Sequence, residues 1–168
     1  LNGVLTINSG GILNAPNATG TWLQSGNFTI QSGATLNHDS GTYVADGNHT
    51  LTTGTATTTF YNLNVSNGFT LTTIGTAIYS AGVLTIGTTA PATLTLSGAT
   101  SNFYVNGQGN FLNVNSSSLI GGTGTIALYA SGDANIPAFD NFNSTNTYIF
   151  TSGTSRTYNL TGNITING

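Results

Sequence analysis

The sequence predicts an all-β protein, a parallel β-solenoid built from short, degenerate coils of roughly 20–24 residues. Three observations favour this fold. Strong helix formers are scarce, whereas Gly, Asn, Thr and other β-branched residues dominate. Short runs carry apolar residues two positions apart, which places both side chains on one face of a strand. The runs are also self-similar, and repeats on this scale are typical of solenoids.

The predicted strands are separated by turns of small residues, and Gly or Asn would supply the tight corners. Pro16 and Pro91 mark two further corners, because proline cannot donate to a strand ladder. In chain order, the apolar pairs are Leu5/Ile7, Phe28/Ile30, Leu63/Val65, Phe69/Leu71, Leu84/Ile86, Leu94/Leu96, Phe103/Val105, Leu112/Val114, Ile126/Leu128, Tyr158/Leu160 and Ile164/Ile166.

One pentapeptide recurs along the chain. Residues 3–7 read GVLTI, and related sequences follow at 26–30 (GNFTI), 82–86 (GVLTI) and 162–166 (GNITI). The spacing loosens after about residue 100. We expect a single β-repeat domain over residues 1–168, one module of a longer fibre or polymer. A β-sandwich or jelly roll also has many short strands and frequent turns, and stays open as the alternative fold.

Charge is almost absent. Only 3% of the residues are charged, against about 25% in ordinary domains. The single basic residue, Arg156, excludes nucleic acid as a partner, because phosphate binding draws on several Lys or Arg side chains. No apolar run reaches the ~18 residues of a spanning helix, so we expect no membrane insertion. With no Lys, Glu or Cys, we expect no enzyme activity and no cofactor.

Over about the first hundred residues, the chain resembles repeats of bacterial and archaeal surface proteins of the adhesin, or filamentous-haemagglutinin-like, type. The residues that carry this resemblance are Gly20-Thr21-Trp22-Leu23-Gln24-Ser25-Gly26-Asn27-Phe28-Thr29, Ser40-Gly41-Thr42-Tyr43-Val44-Ala45-Asp46-Gly47 and Thr59-Phe60-Tyr61-Asn62-Leu63-Asn64-Val65. The chain departs from the pattern where Tyr43 precedes Val44. The resemblance implies a secreted, cell-surface or fibre-forming β-solenoid and brings no catalytic residues with it.

The expected function is therefore structural: an extracellular repeat module that assembles end to end with copies of itself. Both ends read as uncapped strand pattern, and unpaired strand edges template further pairing. A carbohydrate-binding adhesin is the alternative, in which Tyr43, Tyr61, Tyr79 and Tyr104 would stack on sugars. An ice-binding protein, based on the pairs Thr53/Thr55, Thr57/Thr59, Thr93/Thr95 and Thr123/Thr125, and a polysaccharide-degrading β-helix enzyme are weaker alternatives.

We predict no catalytic, cofactor-binding or metal site. His38, Asp39, Asp46 and His49 come closest to a constellation, but their spacing matches no established metal motif. Asp133 and Asp140 could flank a glycosidic bond only by coincidence of folding, and Arg156 is expected to make a structural contact. Eight Asn-x-Ser/Thr sequons are possible N-glycosylation sites: Asn17, Asn27, Asn48, Asn64, Asn115, Asn143, Asn159 and Asn163.

Overall fold

The protein is a parallel β-solenoid, as the sequence predicts. The computed structural model describes residues 1–54, 57–75, 77–98, 101–129, 133–137, 139–143, 148–151, 157–160 and 164–167. These residues form 22 strands of three to five residues each, numbered here in chain order, and no helix. No element of the described chain therefore qualifies as a membrane-spanning helix.

Every third strand belongs to the same side of the solenoid. The first side is an eight-stranded sheet. Its strands are β1 (Leu5–Ile7), β4 (Phe28–Ile30), β7 (His49–Thr53), β10 (Thr70–Ile74), β13 (Thr93–Ser97), β16 (Leu119–Gly122), β19 (Phe139–Asn143) and β22 (Ile164–Asn167).

The second side consists of a two-stranded sheet followed by a five-stranded sheet. The strands are β2 (Ile12–Asn14) and β5 (Thr35–Asn37), then β8 (Thr58–Phe60), β11 (Ala77–Ser80), β14 (Asn102–Val105), β17 (Thr125–Tyr129) and β20 (Tyr148–Thr151).

The third side pairs five strands and then two. The strands are β3 (Thr21–Gln24), β6 (Thr42–Ala45), β9 (Asn62–Val65), β12 (Leu84–Ile86) and β15 (Leu112–Val114), then β18 (Ala134–Ile136) and β21 (Tyr158–Leu160).

Every strand pair found among the described residues is parallel. A β-sandwich is built from antiparallel strands, so the alternative fold is wrong. The register repeats the sequence pattern: Leu5 lies opposite Phe28, and Phe28 lies opposite Leu51. Apolar side chains therefore stack in these first coils, whereas further along the same side Leu71 lies opposite His49 and Thr73 opposite Leu51.

Coil length varies more than the sequence predicts. Leu5 and Phe28 are separated by 23 positions, but Leu84 lies opposite Leu112, 28 positions further along. The extra residues are distributed over the three corners before β13, β14 and β15, and Phe111, in the last of them, is fully buried. The insertions lie at corners because a strand cannot take extra residues without losing its register.

The core is one continuous aliphatic and aromatic column. In β12 and β13, Leu84, Ile86, Leu94 and Leu96 are completely buried, and the threonines between them are half-exposed. Alternation of this kind follows from the two-residue period of a strand. The free energy that holds the coils together therefore comes from apolar burial and from backbone pairing between coils.

Candidate functional site

Among the described residues, nothing covers the first coil at one end of the solenoid. Strands β1 and β2 each stand at an end of their sheet, as does β3, so each is paired on one side only among the described strands. Leu5, Leu13 and Trp22 project from these strands and are only partly buried against the core. Leu23 beside them is 46% exposed. These four residues, with Leu1, form what we call the open end.

An open depression of about 440 Å³ lies on this surface, lined mainly by apolar side chains. Its floor is rigid because the Trp22 ring meets Phe28 edge-on at 5.0 Å and Tyr43 at 5.2 Å between ring centroids. The Trp22 indole N–H is buried and has no hydrogen-bond partner among the described residues. The depression therefore has an apolar floor held by ring contacts, and the Trp22 indole N–H is not exposed in it.

The backbone of β1 leaves hydrogen-bonding groups free at this end. The Leu5 N–H donates to the Asn27 carbonyl at 2.9 Å, and the Ile7 carbonyl accepts from Gln31 N–H at 3.0 Å. Along a parallel ladder, successive residues bond to opposite sides. Thr6, which lies between Leu5 and Ile7, therefore directs its N–H and carbonyl away from β4 and toward the open end.

The last strands of the chain lie at the other end of the same three sides. Strands β20, β21 and β22 each have one neighbour within the described part of the chain. The strand β22 runs parallel to β19, with Ile166 opposite Phe142. Their backbone edges face away from the preceding coil.

The structure separates the predicted acidic and histidine constellation. His38 and Asp39 lie at the outer corner after β5, and Asp46 follows β6. His49 instead points into the core from β7 and is 6% exposed. In the portion of the chain that the structure describes, no group of three or more His, Cys, Asp or Glu residues is placed to hold a metal ion.

His49 is bound inside the solenoid. Its Nδ1 lies 3.0 Å from the Gly47 carbonyl, which can only accept, so Nδ1 carries the proton. Its Nε2 lies 2.7 Å from the Tyr43 hydroxyl and accepts a hydrogen bond from it. Burial lowers the pKa of His49, an effect that the Gly47 carbonyl partly opposes. Burial likewise raises the pKa of Tyr43. Both groups are therefore neutral parts of the core.

Of the four tyrosines considered for sugar stacking, Tyr43 has a core role instead. It is 2% exposed because its ring packs between Trp22 and Phe60. Tyr61 is 38% exposed and lies at an outer corner. Tyr104 is half-buried, and the side chain of Tyr79 lies outside the described part. Among the three of these tyrosines whose side chains are described, Tyr61 is therefore the best exposed to meet a ligand.

The remaining charged candidates are Asp133, Asp140 and Arg156. Asp133 is structural, since its carboxylate accepts the Thr157 N–H at 3.0 Å and its carbonyl accepts the Gly109 N–H at 2.8 Å. The side chain of Asp140 and all of Arg156 lie outside the described residues. No pairing of Asp133 with Asp140 can be drawn.

The threonine pairs do not form one flat array. Thr93 and Thr95 lie on the first side, whereas Thr59 and Thr125 lie on the second. Thr53 turns inward and is 4% exposed. Thr57 and Thr123 are exposed, and Thr55 lies outside the described residues. This arrangement lacks the regular exposed Thr face that ice binding would need.

The sequon asparagines occupy different environments. Asn17, Asn27, Asn48 and Asn159 are exposed, Asn64 and Asn115 are half-buried, and the side chains of Asn143 and Asn163 lie outside the described part. Glycan attachment at these positions stays a prediction.

Several asparagines clamp adjacent coils, a role that the sequence analysis missed. Asn27 accepts the Thr50 N–H at 3.0 Å, and Asn48 accepts the Thr70 N–H at 2.8 Å. Asn67 accepts N–H groups of the next coil at a corner, with the Thr88 bond 2.7 Å long. The signal was available in the sequence as asparagines next to turns, which we interpreted only as corner formers and sequons.

Comparison of the chain with protein-family models, with curated proteins and with solved structures finds no match. Functional statements about this chain therefore rest on its own residues.

Proposed function

We propose that this protein is a structural module of an extracellular fibre or cell-surface assembly, and that its copies stack end to end. The observation that carries this proposal is the open end, where apolar side chains and free strand edges lie together. An exposed strand edge beside an apolar surface is a template for further strand pairing. The occupant we propose is the last coil of a second copy.

The topology supports this match. Strands β1 and β22 belong to the same side, as do β2 and β20 on the second side. A second copy placing its β1 beside β22 would align Leu5 with Ile164 and Ile7 with Ile166. That register repeats the observed pairing of Leu5 with Phe28 and of Ile7 with Ile30. Such a head-to-tail contact does not close on itself and gives open filaments.

The composition supports an extracellular structural role. The chain has few ionisable groups and no cysteine, and its coils are joined by backbone pairing and asparagine clamps. Such a module would need no metal and no disulfide to hold its coils together. The resemblance of about the first hundred residues to surface-protein repeats favours the same role.

The decisive experiment substitutes Thr6, whose N–H faces the open end. Thr6→Pro removes this N–H without removing a bond between β1 and β4, and proline is tolerated on edge strands for this reason. Thr6→Ser keeps the N–H and is the matched control. We expect wild type and Thr6→Ser to form filaments in electron micrographs, with a fibre-diffraction repeat of about 4.8 Å.

Thr6→Pro should remain monomeric by sedimentation velocity at concentrations where the wild type assembles. A circular dichroism spectrum equal to that of the wild type would show that its coils are intact. If the wild type stays a monodisperse monomer at every concentration, or if Thr6→Pro assembles as the wild type does, the proposal is wrong.

A further inference from the structure

We infer that the outer corner formed by Asn37, His38, Asp39 and Tyr61 binds a neutral oligosaccharide. This corner lies on the lateral surface of the solenoid, and its hollow shares Asn14 with the depression at the open end. We call it the lateral corner.

The lateral corner has the shape of a binding surface. An open depression of about 520 Å³ is lined by Asn14, Leu36, Asn37, His38 and Asp39. The Tyr61 ring adjoins it, with its centroid 5.8 Å from that of His38 and the two planes inclined by 30°. Tyr61 is 38% exposed. The corner therefore presents an accessible aromatic face next to a polar hollow.

Bonds within the hollow orient its side chains and leave several of their polar atoms without a partner among the described residues. The Ser40 N–H donates to His38 Nδ1 at 3.1 Å, so the neutral ring carries its proton on Nε2. Asn37 donates to Asn14 Oδ1 at 2.7 Å, which leaves Asn37 Oδ1 as an acceptor. Within the described chain, neither His38 Nε2 nor the Asp39 carboxylate has a hydrogen-bond partner. Hydrogen-bond donors and acceptors without internal partners therefore lie next to one another in the hollow.

The backbone at this corner is held in an uncommon conformation. Asp39 and Ser40 have φ angles of 44° and 62°, and they are the non-glycine residues with positive φ in the described chain. Such a conformation costs free energy for residues with a Cβ and persists where the surroundings fix it. Here the Gly41 N–H donates to the His38 carbonyl at 3.0 Å. The turn fixes the position of Asp39 beside His38.

The chemistry of the corner selects a neutral polyol. No Lys or Arg lies among the residues that line it, so an anion would find no counter-charge. A pyranose offers C–H groups that pack on an aromatic face, and hydroxyls that both donate and accept. Successive coils are about 4.8 Å apart, a spacing comparable with the length of one pyranose. A sugar chain running along the solenoid could therefore contact Asn14 and Asn37 with neighbouring units.

The test titrates the protein with cellohexaose and maltohexaose, using hexagalacturonic acid as the charged comparison, by NMR or calorimetry. We expect at least one neutral hexasaccharide to bind and the charged one to bind less tightly. Tyr61→Ala should weaken binding by about tenfold or more, which corresponds to the loss of one stacked ring. Tyr61→Phe keeps the ring and should stay within about threefold of the wild type.

Asp39→Asn removes the carboxylate but suits a left-handed backbone, so the variant should fold and bind more weakly. Leu119→Ala is the matched control, since Leu119 is also 38% exposed but lies on the first side. Repeating the titration with Thr6→Pro separates binding from assembly. The inference is overturned if neither neutral sugar binds, if Tyr61→Ala binds as the wild type does, or if hexagalacturonic acid binds equally well.

Discussion

The Tyr43 hydroxyl lies 2.7 Å from His49 Nε2 and connects two sides of the solenoid inside its core. Tyr43 is on the third side and His49 is on the first, in the next strand of the chain. His49 lies opposite Leu71, which in turn lies opposite Leu94, so a polar ring occupies one position in an otherwise aliphatic stack. The two side chains satisfy each other's hydrogen-bonding groups within the core, but the stability of this pair depends on His49 being neutral.

The first prediction concerns pH. Because burial lowers the pKa of His49 in the folded state, the unfolded chain binds a proton more readily. The free energy of unfolding should therefore fall as the pH is lowered through about 6.5, the ordinary histidine value. Urea denaturation between about pH 8 and 5.5 measures this. His38→Gln should keep this pH dependence. If a variant lacking His49 shows the same slope of unfolding free energy against pH, the assignment of the dependence to His49 is wrong.

The second prediction is non-additivity at the same pair. Tyr43→Phe leaves His49 Nε2 without a partner, and His49→Leu leaves the Tyr43 hydroxyl without one. Each should lower the free energy of unfolding by about 1–3 kcal/mol. The double variant replaces both partners by apolar groups and continues the stack of Leu71, so it should lie within about 1 kcal/mol of the wild type. If the double variant, measured by urea denaturation, loses the sum of the two single losses, the hydrogen bond is not the source of the lost stability.

The third prediction ranks alanine substitutions at three glycines by their effect on the free energy of unfolding. Gly3 has open space around it and no positive φ, so Gly3→Ala should change stability by less than about 0.5 kcal/mol. Gly68 also has open space but a φ of 79°, and Gly68→Ala should cost about 1–2 kcal/mol. Gly75 has a φ of 142°, and a Cβ there would collide with the Thr53 carbonyl of the adjacent coil. Gly75→Ala should cost about 2–4 kcal/mol, and thermal melting that ranks the three differently would contradict this account.

The fourth prediction tests the asparagine clamps. Asn67 Oδ1 accepts N–H groups of Thr88 at 2.7 Å, and of Thr89 and Ala90 at 3.3 Å. Asn67→Ala should cost about 1–2 kcal/mol, whereas Asn67→Asp keeps the acceptor and should cost less than about 0.5 kcal/mol. Asn113→Ala is the control, because Asn113 is exposed in the middle of β15. Equal losses at Asn67→Ala and Asn113→Ala, measured by urea denaturation, would exclude a clamping role.

The sequence determined the class and the local pattern of this fold. Alternation such as Leu84-Thr85-Ile86 specifies a strand with one buried face, because successive side chains in a strand point to opposite sides. The recurrence of GVLTI at 3–7 and 82–86 specifies stacking, because similar strands bury one another best in register. These are short-range properties, and the sequence carries them directly.

The tertiary structure decided which polar residues face inward and which neighbours they meet. His49 begins the largely polar strand β7, yet it is buried, and Tyr43 from the preceding strand supplies a partner. Tyr61 and His38 lie in different coils and form one surface only after the coils stack. Contacts between coils join residues about 20 or more positions apart, and their register depends on corner lengths that the repeat pattern alone does not fix.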